Sequence, residues 1–210
     1  KVAYDLCDKI VLLSAEYAED YCKFGGIDDK KKFVSIPNAV SFDEFIPVEE
    51  LKDKEKIVLI VTRLDEVQKR ISLAIKIWKR IEEEADLKDW TFKIVGFGES
   101  EHEYRKMVSD LGLKRVSFEG RQNPIEYYKK SSLFMMTSLF EGWPMTLNES
   151  SQFGCVPFVY DTCASFHEII NDGQNGFLIT DKDEVEFYQK MRQVMLDADR
   201  RMSMMKAAVK

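Results

Sequence analysis

The sequence is poor in the residues that build metal and redox sites. Four cysteines, Cys7, Cys22, Cys155 and Cys163, are scattered over 210 residues with no C-x-x-C pair, and only two histidines accompany them. That spacing excludes the common zinc frameworks. It predicts buried free thiols in a reducing compartment, with cysteine used as a small hydrophobe. Glycine and proline are few, 10 and 5, which excludes a collagen-like or low-complexity chain. There is no basic excess: 31 Lys and Arg stand against 37 Asp and Glu, a net charge of −6. This counts against a nucleic-acid partner, which calls for a basic face, and leaves room for a local basic pocket. No apolar run approaches the ~20 residues of a membrane span. The first run, KIVLLS at 9–14, is also shorter than the core of a secretion signal.

What is present is a globular composition, 45% hydrophobic and 32% charged, with enough chain for one large domain or two small ones. The chain opens at Lys1 without Met or cap and runs almost at once into a strand pattern, so it is expected to be a piece of a longer protein.

Short β-branched runs alternate with longer amphipathic stretches. Strands are predicted at 9–14, 33–36, 57–62, 91–95, 116–119, 133–137, 157–160 and 177–179. Several are apolar throughout, as strands buried on both faces are. Helices are predicted at 70–85, with Ile71, Ile75, Trp78 and Ile81 on one stripe, and at 100–111. Others follow at 124–130, capped by Asn123, at 146–153, ending on Gly154, and as one long helix over 183–206. The methionines of that last helix read as core fill. Such alternation implies right-handed βαβ crossovers and an α/β fold, a Rossmann-like parallel sheet with helices on both faces. Ligands bind such sheets beyond the C-terminal strand ends, where strand order reverses.

Three segments sit where that rule points. Residues 62–70, TRLDEVQKR, follow a long apolar strand with Arg63, Lys69 and Arg70 before a helix, a pattern that suits an anion; a solvated charged loop has the same composition. Gly96 and Gly98 follow the strand at 91–95 without the third glycine of a dinucleotide fingerprint; they allow a flat ligand close to the backbone, and equally a plain turn. Residues 137–149, TSLFEGWPMTLNE, place Glu141 at a strand tip and Glu149 one turn into a helix. Helix-start amides lie between the two carboxylates. That arrangement suits a ligand with hydroxyls at both ends and phosphate in the middle; Glu149 is otherwise an exposed helix glutamate.

The run from Glu141 to Glu149, EGWPMTLNE, resembles the E-x7-E signature of retaining glycosyltransferases with the GT-B fold. Sucrose synthases, bacterial glycogen synthases and many capsule and lipopolysaccharide transferases belong to that group. Other segments fall in the same order: IPNAV at 36–40, with Ala39 for glycine; TRL at 62–64 followed by Lys69; IVGFG at 94–98; FEG at 118–120; and SQFGCVP at 151–157.

The resemblance implies the donor-binding, C-terminal half of a two-domain enzyme, a hexosyltransferase moving sugar from a UDP- or GDP-sugar to a glycan or lipid-linked acceptor. It implies that Arg63 and Lys69 hold the diphosphate, Glu149 the ribose hydroxyls, and Glu141 the donor sugar near the reacting carbon. Gly142, Trp143, Met145 and Thr146 would meet phosphate or sugar, with Pro144 lacking a donor N–H. Gly96 and Arg121 would lie near sugar nucleotide and base. No metal or other cofactor is implied. Arg70, where many members have glycine, would reshape the phosphate loop and add a third cation. Residues 1–30 would be a hinge-side strand and helix belonging to the acceptor domain, and the rest of 1–210 one nucleotide-sugar domain. Without its partner domain the fragment is expected to transfer poorly or not at all. A cytoplasmic location, with peripheral contact at the inner membrane face through that missing domain, is a further implication. Two rivals stand beside this reading: a non-catalytic partner domain of the same fold, and an NAD-binding Rossmann domain, which the missing G-x-G-x-x-G disfavours.

Overall fold

The computed structural model describes residues 2–209. The eight predicted strands are all present, and they divide between two sheets. Helix α1 (Val2–Leu6), β1 (Ile10–Leu12), α2 (Tyr17–Gly25) and β2 (Phe33–Ser35) come first. Among the described residues β1 and β2 pair only with each other, in parallel, Ile10 opposite Phe33. A 3₁₀ turn, Val48–Asp53, then leads into the main sheet.

That sheet contains β3 (Glu55–Val61), β4 (Thr91–Val95), β5 (Val116–Gly120), β6 (Ser131–Met136), β7 (Val156–Tyr160) and β8 (Phe177–Ile179). Its order is β5-β4-β3-β6-β7-β8, and every neighbouring pair is parallel. β6 and β7 are buried along their whole length, as apolar runs without alternation require. The chain winds outward from β3 in one direction and from β6 in the other, so the order reverses between those two strands. Right-handed crossovers in opposite directions put their helices on opposite faces. Between β3 and β5 lie α3 (Glu66–Lys69), α4 (Ile71–Glu82) and α5 (Glu101–Asp110). α6 (Ile125–Lys130) leads into β6, and α7 (Met145–Gln152) and α8 (Phe166–Ile169) serve the other half. α4 buries the predicted stripe, Ile71, Ile75, Trp78 and Ile81, together with Ala74 and Ile77.

Two local expectations are corrected. The helix at 183–206 is two helices, α9 (Glu184–Leu196) and α10 (Ala198–Ala208). Asp197 between them is extended (φ −100°, ψ 96°), and its carboxylate accepts from the Arg200 N–H at 2.9 Å, capping α10. The break has a purpose: α9 packs on α4, whereas α10 packs on α7 and β7 across the sheet. At α6, Pro124 rather than Asn123 occupies the cap position, and Asn123 Oδ1 accepts from the Ile125 N–H at 3.2 Å. Gly154 ends α7 as predicted, at φ +70°.

The cysteines are free, but only Cys155 and Cys163 are buried; Cys7 and Cys22 are half-buried. Among the described residues no helix is long and apolar enough to cross a membrane.

The glycines after β4 serve the fold. The β3–β4 ladder continues past both strands, Thr62 N–H to Val95 O and Leu64 N–H to Phe97 O, each at 2.9 Å. A Cβ on Gly96 would lie 1.7 Å from Thr62 O, and one on Gly98 2.2 Å from Leu64 O. Gly96 also stands at φ +141°. The backbone that approaches these glycines is the chain's own, and the contact fixes the segment carrying Arg63. Gly96→Ala is therefore expected to lower unfolding free energy by more than ~3 kcal/mol. Gly112→Ala, at φ +69° in open space, should lose only ~1–2 kcal/mol. Urea unfolding of the two variants checks the contrast; equal losses would remove the steric argument.

Candidate functional site

The reversal between β3 and β6 opens a crevice at their C-terminal ends. A cleft of about 420 Å³ lies there, lined by Thr62, Arg63, Gln68, Lys69, Glu141, Trp143, Pro144, Met145 and Thr146. Two of the three sequence segments therefore meet at one place, and the third backs the first from behind.

Lys69 ends α3, and its ammonium meets Glu141 Oε1 at 2.6 Å across the crevice, with both side chains largely shielded from solvent. Arg63 is exposed; its Nη2 contacts Asp65 Oδ2 and Gln68 Oε1, both at 3.2 Å. Asp65 also caps α3 by accepting from the Gln68 N–H. Both candidate phosphate cations thus already have carboxylate partners.

Arg70 corrects an expectation. It is not a third cation in the cleft. It is buried, its Nε donates to Thr137 O at 2.8 Å, and its Nη2 pairs with Asp181 Oδ1 at 2.7 Å. It also keeps the left-handed backbone, φ +50°, that a glycine would adopt freely.

α7 opens after Pro144, and Leu147 is the first residue whose N–H is taken, by Pro144 O at 3.0 Å. The Met145 and Thr146 amides have no acceptor among the described residues and stand at the cleft wall. Trp143 lines the cleft, and its indole N–H has no partner among the described residues. Gly142 is exposed beside it.

Glu149 lies one turn into α7 and is buried, not an exposed helix glutamate; its Oε2 accepts from the Tyr128 hydroxyl at 2.9 Å. Burial, and behind it the Glu149 carboxylate, hold the Tyr128 phenol well above its ordinary value, so it stays a donor at any working pH. Gly96 packs behind Thr62 and does not line the cleft. Arg121 stands past the end of β5, its guanidinium 5.3 Å from the centre of the exposed Phe97 ring.

Several residues that build the site are not among the candidate residues. Gln68 joins the two loops: its backbone O accepts from the Leu139 N–H at 2.7 Å and its Nε2 donates to Phe140 O at 3.1 Å. Thr137 Oγ1 donates to Lys69 O at 2.8 Å. Tyr17 and Cys163 contact the Glu141 backbone. Gln68 and Thr137 fall inside the segments at 62–70 and 137–149; Tyr17 and Cys163 offer no positional signal.

The family model described as "Glycosyl transferases group 1" matches residues 41–210. An "Uncharacterized glycosyltransferase" of Haemophilus influenzae is 29% identical over 181 residues, 84% of this chain and 48% of that protein. A Campylobacter jejuni N-acetylgalactosamine-N,N'-diacetylbacillosaminyl-diphospho-undecaprenol 4-alpha-N-acetylgalactosaminyltransferase is 27% identical over 200 residues, 92% of this chain and 52% of that protein. The chain spans about half the length of these relatives. Among solved structures, an S. aureus TarM mutant in complex with Fondaparinux, alpha-GlcNAc-glycerol and UDP superposes with a TM-score of 0.83 at 21% identity. That match covers 98% of this chain and 40% of TarM. The shared fold is the Rossmann-like half of GT-B glycosyltransferases.

The Tyr128–Glu149 bond gives a stability test. Tyr128→Phe deprives a buried carboxylate of the donor it has and should lower unfolding free energy by ~1–3 kcal/mol. Urea denaturation at neutral pH measures it; no change would mean the carboxylate is held by other means.

Proposed function

The chain belongs to the glycosyl transferases group 1 family, and from that premise we propose that it forms the donor side of a retaining glycosyltransferase. The donor is a nucleoside-diphosphate sugar, UDP- or GDP-linked, and the acceptor is a glycan or a lipid-linked sugar. One observation carries the reading: Lys69 and Glu141, from opposite halves of the sheet, face each other at the strand-order reversal, beside the amides of Met145 and Thr146, which have no acceptor among the described residues.

In this reading the diphosphate lies along Arg63, Lys69 and the α7 amides. Breaking the anomeric C–O bond puts negative charge on the departing phosphate, and donors already in place stabilise that charge without a metal. Glu141 accepts from donor-sugar hydroxyls near the reacting carbon. The buried Glu149, fixed by Tyr128, accepts from the ribose hydroxyls through Oε1, which has no hydrogen bond among the described residues. Arg121, past the end of β5, borders the base. The UDP in the TarM complex and the diphospho-undecaprenol acceptor in the name of the Campylobacter relative support the donor and acceptor classes. Acceptor recognition falls to residues outside these 210, with β1 and α2 on the hinge side, so this chain alone should transfer poorly. An acceptor of that kind would place the enzyme at the inner membrane face.

Calorimetric titration with UDP and then GDP, with and without Mg²⁺, is the test. Metal-independent binding of one of them is expected. Glu149→Ala should weaken it by ~1–3 kcal/mol. Arg63→Ala and Lys69→Ala should weaken the diphosphate more than the bare nucleoside, and Glu141→Gln should leave nucleoside diphosphate affinity nearly unchanged. Binding of neither nucleotide, or equal losses for diphosphate and nucleoside, would sink this assignment.

A further inference from the structure

Glu141 reaches Lys69 from a loop outside any helix or strand, so its backbone must be held from elsewhere. Two side chains hold it. The Tyr17 hydroxyl, from the first turn of α2, lies 2.9 Å from Glu141 O and 3.1 Å from Gly142 O, so its one proton bridges two carbonyls. Ser165 Oγ, 3.1 Å away and fully buried, completes the phenol's partners. On the other side the Glu141 N–H donates to Cys163 Sγ at 2.9 Å. Cys163 follows β7 and is itself buried. The N–H and C=O of Glu141 are thus both fixed by side chains, one from α2 and one from the segment after β7.

Neither residue lies in the 141–149 motif, and Tyr17 lies outside the matched residues 41–210. With the peptide groups on both sides of Glu141 held, only its side-chain torsions remain free. Small displacements of such a group carry large penalties in transfer chemistry. We propose that Tyr17 and Cys163 are positioning residues that register the Glu141 carboxylate against Lys69 and the donor sugar. Through Tyr17 the segment of β1 and α2 is then mechanically part of the donor site. The proposal rests on the donor-site reading above.

The test compares two ligands in each of four proteins: the unaltered chain, Tyr17→Phe, Cys163→Ala and Cys163→Ser. The ligands are UDP and UDP-glucose, or GDP and GDP-glucose if the chain selects GDP. Tyr17→Phe and Cys163→Ala should leave the nucleoside diphosphate Kd within about twofold and weaken the nucleotide sugar about tenfold, the scale of one lost hydrogen bond. Cys163→Ser, whose hydroxyl can still accept, should restore most of the difference. A tie that merely staples α2 in place would weaken both ligands alike or neither, and either result overturns the proposal.

Amide hydrogen exchange supplies a readout that needs no ligand. Exchange at the Glu141 amide, which donates to Cys163 Sγ, should speed up about tenfold or more in Tyr17→Phe and Cys163→Ala and return in Cys163→Ser; unchanged exchange also overturns it. If the unaltered chain binds neither ligand, the donor-site reading fails, and positioning of Glu141 is decided by exchange alone.

Discussion

Arg70 joins the two halves of the site. It ends α3 and begins α4 in the left-handed region, so the chain leaves the Arg63–Lys69 loop and turns at once into the helix. A non-glycine residue there is strained by about 1–2 kcal/mol, and the side chain offsets this. Its guanidinium donates to Thr137 O and Ser138 O at the end of β6, pairs with Asp181 after β8, and lies 5.5 Å from the centre of the Tyr160 ring. A charge buried this deeply is stable only with partners on several sides, and here they come from β6, β7 and the loop after β8. The loop after β3 is thereby locked to the far half of the sheet. Thr137 to Lys69 O and Leu139 to Gln68 O add two further ties. The meeting of Lys69 and Glu141 is a consequence of this lock.

Strand order explains much of what could be read in the sequence and what could not. β7 and the Leu133–Met136 part of β6 are apolar without alternation, because they are covered on both faces, and that signal is hard to miss. The helix stripe at 71–81 is equally plain. The motifs at 62–69 and 141–149 come together at one corner of the sheet, because both follow strands. The break at Asp197 left only a capping aspartate in a continuous methionine pattern. Its reason, the move of the chain from one face of the sheet to the other, is tertiary. Arg70 read as a cation for phosphate because composition does not say which way a side chain points. Its role depends on Asp181, 111 residues away. The same holds for Tyr17 and Cys163, which reach Glu141 from 124 and 22 positions away. Gly96 and Gly98 are required, though by the backbone of Thr62 and Leu64 rather than by a ligand.

The charges of the cleft nearly cancel. Lys69 faces Glu141 and Arg63 faces Asp65, so a bare anion entering the crevice gains little net attraction and meets two carboxylates. The supply of hydrogen-bond donors is another matter. An ammonium has three N–H groups and a guanidinium five; among the described residues Lys69 has one contact with Glu141, and Arg63 uses only Nη2. The remaining donors, with the amides of Met145 and Thr146, can take phosphate oxygens while both ion pairs persist. Glu141 then opposes a simple phosphate and welcomes a ligand that brings hydroxyl donors next to its phosphate. Selection in such a site comes from matching donors to acceptors along the ligand, not from net charge. It therefore depends on how firmly the Glu141 carboxylate is held in register with Lys69, a property set by contacts outside both motifs.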